Sequence, residues 1–106
     1  MPRYLFRASY TQSGVAGVLR EGGTSRVAAV ERLVASVGGK VETQYWTFGG
    51  EDFLLIAELP DNAAAAAASM TVGASGIGTV TTTVLLTADE IDRAAKLHPD
   101  YRPPGA

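Results

Sequence analysis

The segment Phe53-Leu54-Leu55-Ile56-Ala57-Glu58-Leu59 is nearly continuously apolar, and turn signals enclose it: Gly49-Gly50 on one side and Pro60-Asp61-Asn62 on the other. A run this short between such breakers is a strand rather than a helix. Successive side chains of a strand point to opposite faces. Phe53, Leu55, Ala57 and Leu59 therefore share one face, and Leu54 and Ile56 the other. A strand that is apolar on both sides must belong to a sheet covered on both sides. Few folds open to a chain of 106 residues can meet that demand alone.

The segments around it define the sheet. Tyr4–Tyr10 is rich in aromatic and apolar residues and reads as an opening strand. Thr11-Gln12-Ser13-Gly14 offers a turn and an N-cap for a short helical segment through Glu21, which Gly22-Gly23 breaks. Thr24 or Ser25 is the expected cap of a second helix, whose Val27, Val30, Leu33, Val34 and Val37 form one stripe at helical spacing. Gly38-Gly39 ends it, as residues able to adopt the left-handed conformation do. From Lys40 to Phe48 the residues alternate. Val41, Thr43, Tyr45 and Thr47 are expected on one face, and Glu42, Gln44, Trp46 and Phe48 on the other.

Asp61 caps a helix through the alanine run 63–68, a composition that favours helix and lets it lie close to a sheet. Gly73, Gly76 and Gly78 punctuate its exit. The Gly73–Gly78 segment follows a helix and precedes a strand, so it is a turn and not a nucleotide loop. Thr79–Leu86 is β-branched and reads as a fourth strand. Thr87-Ala88-Asp89-Glu90 is a capping-box sequence for a final helix that His98-Pro99 must end. The order is β-α-β-β-α-β: an α+β domain with one antiparallel sheet, both crossover helices on one face, and an extra C-terminal helix. The expected division is a domain over 1–98 and a Pro-rich tail over 99–106.

Composition narrows the function more by exclusion than by assignment. There is no cysteine, which removes disulfides, thiolate metal sites and Cys nucleophiles. The net charge is −2 with the basic residues scattered, so a nucleic-acid backbone finds no electrostatic footprint. An RNA-recognition module shares the strand order, but Phe53-Leu54-Leu55-Ile56 offers one aromatic and no charge on which bases could stack. No apolar stretch approaches a membrane span, and MPRYLFRASY lacks the run of a signal peptide. The expectation is a soluble cytoplasmic protein without nucleic-acid or membrane partners.

The outer sheet face points to assembly. Either the last helix and tail cover it within one chain, or a second copy does. The apolar character of Leu54 and Ile56 favours the second copy, hence a homodimer or higher homo-oligomer. The chemistry-bearing residues are few. Arg7 among strand apolars calls for an anionic partner, either Glu58 or Glu42 in a structural pair or a ligand carboxylate. In the ligand case Tyr10, Tyr45 and Trp46 would line a pocket with Arg7, and Arg26 lies near the start of the long helix. Glu51 and Asp52 are adjacent carboxylates; neighbours on a strand diverge, and Asp52 is suited to bonding turn amides. His98, the one histidine, reads as a helix-end residue and not as a metal or haem ligand.

The residues together resemble the GYD-domain family. The resemblance rests on the opening Tyr4-Leu5 strand ending in Ser9-Tyr10-Thr11, Gly22-Gly23 followed by Arg26, and Gly38-Gly39-Lys40-Val41-Glu42. It continues through Phe48-Gly49 with Asp52, Glu58-Leu59-Pro60-Asp61 and Leu85-Leu86-Thr87. The family's naming segment has Tyr before the Asp, where this chain has Glu51; Gly49 and Asp52 carry over. The resemblance implies a ferredoxin-like fold of the dimeric α/β-barrel type, with two sheets face to face and a cleft between sheet and helices. It implies no cofactor and no activity, since the family is functionally uncharacterised. The function expected is small-molecule binding by a homo-oligomer, with Arg7, Tyr10, Arg26, Tyr45, Trp46 and Asp52 as ligand-binding candidates. The alternative is a cofactor-free barrel-type oxygenase or isomerase.

Overall fold

A computed structural model describes all 106 residues. The elements follow in the order β1 (Arg3–Tyr10), α1 (Gln12–Glu21), α2 (Gly23–Ser36), β2 (Lys40–Trp46), β3 (Phe53–Glu58), α3 (Asn62–Ala74), β4 (Gly78–Leu85) and α4 (Ala88–Ala95). The four strands form one antiparallel sheet in the order β2-β3-β1-β4. This is the ferredoxin-like arrangement, with its first crossover split into two helices.

Register assigns the faces. Tyr4, Phe6 and Ala8 of β1 lie opposite Ala57, Leu55 and Phe53 of β3, and all six are buried. Against this inner face pack Val34 from α2 and Ala65 and Ala68 from α3. The Tyr4 hydroxyl donates to Asn62 Oδ1 at 2.6 Å, so the buried ring keeps its polar end satisfied. Leu59 lies just past β3, fully buried, its N–H donating to the Pro2 carbonyl.

Local chemistry explains the boundaries. Thr11 caps α1 through Gly14 N–H, and Asp61 caps α3 through Ala64 N–H at 2.9 Å. Gly38, at φ 84°, closes α2: its N–H bonds the Ala35 carbonyl and that of Gly39 the Val34 carbonyl, a Schellman ending. Gly14 is required for a different reason, since a Cβ there would collide with the Ile77 carbonyl. The same contact joins α1 to the loop before β4, where Thr11 N–H donates to Ile77 O and Thr11 Oγ1 to Gly76 O.

Two local expectations are corrected. Neither Thr24 nor Ser25 caps α2: the helix begins at Gly23 after Gly22 with no side-chain cap, and the Ser25 hydroxyl turns back to Glu21. The simple alternation of β2 also fails, because a register shift falls between Val41 and Thr43. Bulges put one extra residue on a strand and invert facing beyond it. Val41, Gln44 and Trp46 oppose Ala57, Leu55 and Phe53 on the inner side, whereas Thr43 and Tyr45 oppose Ile56 and Leu54 on the outer side.

The outer face carries half-buried Leu5, Leu54 and Ile56, exposed Tyr45, and a threonine row, 79, 81 and 83, on β4. The last helix and tail do not cover it: α4 buries no residue, and every position from Ile91 to Ala106 is exposed. No helix is long and apolar enough to cross a membrane.

Candidate functional site

Between the inner sheet face and helices α2 and α3 the packing leaves a cavity of about 70 Å³. Phe6, Ala8 and Tyr10 of β1, Phe53 and Leu55 of β3 and Val80 of β4 line its sheet side; Val30, Leu33, Ala68 and Val72 line its helical side. A void of ~150 Å³ accepts benzene, so this one holds only a short aliphatic group without rearrangement. It arises because α3 presents small side chains: Ala68 faces a region where a larger residue would fill the space.

Arg26 is the sole charged residue of the lining, and Ser69 the other polar one. Arg26 belongs to the first turn of α2, whose opening N–H groups have no side-chain cap. A helix start carries partial positive charge, so cation and helix terminus share a sign at one wall. The nearest carboxylate, Glu21 Oε2, lies 3.8 Å from the guanidinium, a loose pair that leaves most donors of the fork unused. The lining contains no carboxylate and no imidazole.

The six residues singled out from sequence are distributed over four places, the last being the loop that holds Asp52. Tyr10 and Arg26 border the cavity. Trp46 stands one layer behind it, its ring edge-on to Phe53 with centroids 5.1 Å apart. Arg7 and Tyr45 are on the opposite face of the sheet, so they share no pocket with Tyr10 and Arg26. Arg7 is half exposed, and its partner is neither Glu58 nor Glu42: both of those pair with Arg3, at 3.3 and 3.2 Å, and Arg7 Nε faces Glu51 at 3.6 Å. Glu51, the residue standing where the naming Tyr of the family is expected, thus pairs with the outer-face arginine.

Asp52 ties the 47–52 loop to β1. Its carboxylate accepts from Tyr10 N–H at 2.8 Å, and its own N–H donates to Ala8 O at 2.9 Å. Thr47 completes the loop, donating from N–H to Asp52 O and from its hydroxyl to Glu51 O. Phe48 is fully exposed at the loop's tip. No three His, Asp or Glu side chains converge as a metal site would need.

Sequence reasoning overlooked the hydrophobic wall of the cavity. Val30 and Val72 looked like ordinary stripe residues, and nothing in their spacing marks them as lining a void. It also missed Gln44, whose Oε1 is shut from solvent without a hydrogen-bond partner on the inner side of β2. The bulge that turns it inward has no marker in the residues.

A four-stranded ferredoxin-like sheet with a helix-side cavity and an outer face its own chain leaves uncovered defines a small α+β domain. The family model of the GYD domain matches residues 4–95. That spans most of the chain and runs through α4, and the chain belongs to this family. No curated protein and no solved structure matches it.

Proposed function

We propose that the chain is a binding domain, assembled from two copies, for a small ligand with a short apolar body and one negative charge. The ligand's body occupies the cavity and its anionic end meets Arg26. The carrying observation is the lining itself: apolar walls, one cation at the first turn of a helix, and no carboxylate or imidazole. An apolar group gains by leaving water, and a guanidinium with spare donors prefers a carboxylate, which it can hold through two parallel bonds. The cavity volume restricts the body to a short aliphatic chain. A barrel-type oxygenase or isomerase requires an acid–base group against its substrate, and this lining supports binding better than chemistry.

The two-copy part of the reading is supported by the outer face. Leu5, Leu54, Ile56 and Tyr45 form an apolar field that its own chain leaves uncovered, and such fields mark interfaces. The second face of β3 demands cover, and a partner's sheet supplies it in a face-to-face α/β barrel.

Trp46 is the only tryptophan and leans on Phe53, a cavity wall, so its emission reports on occupancy. Butyrate and valerate are expected to shift that emission saturably, with the matching alcohols binding at least about tenfold more weakly, ~1.4 kcal/mol. Arg26→Leu is expected to erase the difference between acid and alcohol. An equal response to both in the unmodified protein sinks the ligand reading. Native mass spectrometry at micromolar concentration tests the assembly, and a monomer there removes the two-copy part.

A further inference from the structure

Helix α4 leans little on its own chain. It buries no residue, and the arm it begins leaves the domain elongated. The radius of gyration is 17.0 Å and the longest extent 57 Å, where a compact chain of this length has a radius of about 13 Å. Isolated helices shorter than ~12–15 residues are marginal in water, and α4 has 8. Its helicity calls for a surface.

The helix is patterned to meet one. At 100° per residue Ala88, Ile91, Ala94 and Ala95 fall on one stripe, and Asp89, Asp92, Arg93 and Lys96 on the opposite side. Leu97 adds a further exposed apolar group just beyond the helix. One large side chain between alanines makes a ridge that approaches its partner closely.

The chain also carries a matching groove. α3 and the inner edge of β4 border an open trough of about 330 Å³, with Tyr4, Ala66, Met70 and Val84 among its walls and no charged residue in it. Met70 is 72% and Val84 51% exposed, so the trough is unfilled. The chain's own α4 is poorly placed to fill it. Only Leu86 separates β4 from the N-cap Thr87, whose backbone is extended. Doubling back along α3 would need a turn, and Leu85-Leu86-Thr87 contains no glycine, asparagine or proline to make one.

Area supplies the last argument. Four strands ~4.8 Å apart and about 24 Å long present roughly 450 Å² per copy. Stable interfaces bury ~1,200–2,000 Å² of accessible surface in total, so a footprint this small lies towards the lower end of what holds two copies together. Two seated arms would add to it, and a reciprocal exchange closes on itself with two-fold symmetry. We infer that α4 of each copy seats its Ile91 stripe in the α3/β4 groove of the other copy, an inference that rests on the two-copy reading above.

The absence of cysteine makes a clean test available. Full-length Met70→Cys and Ile91→Cys proteins, mixed and mildly oxidised, are expected to give a covalent heterodimer on a non-reducing gel and by intact mass. In the Met70→Cys/Ile91→Cys double variant the same link joins two chains. Ile91→Glu is expected to weaken self-association at least tenfold while leaving the far-ultraviolet melting curve of dilute protein unchanged, since Ile91 is exposed in the single chain. A double variant that closes its disulfide within one chain overturns the exchange. If the unmodified protein is a dimer by native mass spectrometry yet the mixture forms no heterodimer, the arm inference fails alone. An unmodified protein that is a monomer fails both readings together.

Discussion

The two faces of the sheet are built from the same strands with the same two-residue period, and they end differently. On the inner face Tyr4, Phe6, Phe53, Leu55 and Ala57 meet helices of their own chain and leave water. On the outer face the alternate positions are mixed: Leu5, Leu54 and Ile56 lie among Arg3, Arg7, Glu58 and the threonines of β4. The ion pairs there, Arg3 with Glu42 and Glu58 and Arg7 with Glu51, have side chains 30–52% exposed. Pairs of that kind contribute little, about 0–1 kcal/mol each. The difference teaches where stability is decided and where the proposed assembly would be. The inner face holds the monomer together, and the outer face mixes uncovered apolar residues with charge, Arg7 lying directly opposite Leu54.

Substitutions on the two faces should therefore fail in different ways. Phe6→Ala removes a buried ring and leaves a void beside the existing cavity. It is expected to cost about 3–5 kcal/mol, read as a lowered urea midpoint that does not depend on protein concentration. Leu54→Asp, on the other side of the sheet, should leave the monomer's unfolding free energy within about 1 kcal/mol of the unmodified value. Its expected effect is on association, weakened about a hundredfold, ~2.7 kcal/mol, because pairing of two copies would bury the aspartate with only Arg7, already paired with Glu51, opposite it. Sedimentation across a dilution series separates the two. Equal, concentration-independent losses for both variants would break the comparison, since both faces would then be monomer core.

Where the chain's logic is local, its residues disclose the structure. The Thr87/Glu90 capping box forms as its spacing demands, Gly38 takes the left-handed turn, and the alternation of Phe53–Glu58 appears as buried and half-buried positions in turn. Where the logic is tertiary it stays hidden. The bulge at Glu42, whose carboxylate pairs with Arg3, puts Thr43 and Tyr45 on the face opposite Val41, and no local propensity announces it. The missing cap of α2 has a similar origin: Gly22, at φ 83°, turns the chain directly from α1 into α2 and leaves no separate capping residue. The candidate site scattered for the same reason. Tyr45 and Trp46 are neighbours in sequence but lie on opposite faces, and Arg7 looks equidistant from several glutamates until the 47–52 loop brings Glu51 to it.

That loop joins the two faces, since Glu51 serves the outer side and Asp52 the end of β1. Asp52→Ala strands the Tyr10 N–H and loosens the loop, for an expected loss of about 1–3 kcal/mol in chemical denaturation. Asp52→Asn, which keeps an acceptor, should lose less than half as much. Because Tyr10 also borders the cavity, a loosened loop should weaken acid binding reported by Trp46. Unchanged binding with reduced stability would confine Asp52 to the fold.

The smallest expected effect lies at the arm, and it is a dependence on pH. Glu90 accepts hydrogen bonds from the Thr87 N–H and hydroxyl. The backbone bond from Thr87 is the main cause that holds its carboxyl below the ordinary value of 4.5; desolvation opposes it, and the Thr87 hydroxyl bond and Arg93 add smaller lowering effects. A carboxyl whose folded-state value is depressed stabilises the structure fully above its unfolded value, and that contribution disappears as pH falls through the lower, folded value. The start of α4 should thus be firmest near neutrality and loosen below pH 4.5. Nuclear magnetic resonance shifts of Thr87 and Glu90 followed from neutral to acid should report this locally. In Glu90→Gln the acceptor remains but the charge is gone, so the transition should flatten. A transition of equal size in Glu90→Gln would assign the pH dependence to another carboxylate and leave the capping box without a part in fixing the arm.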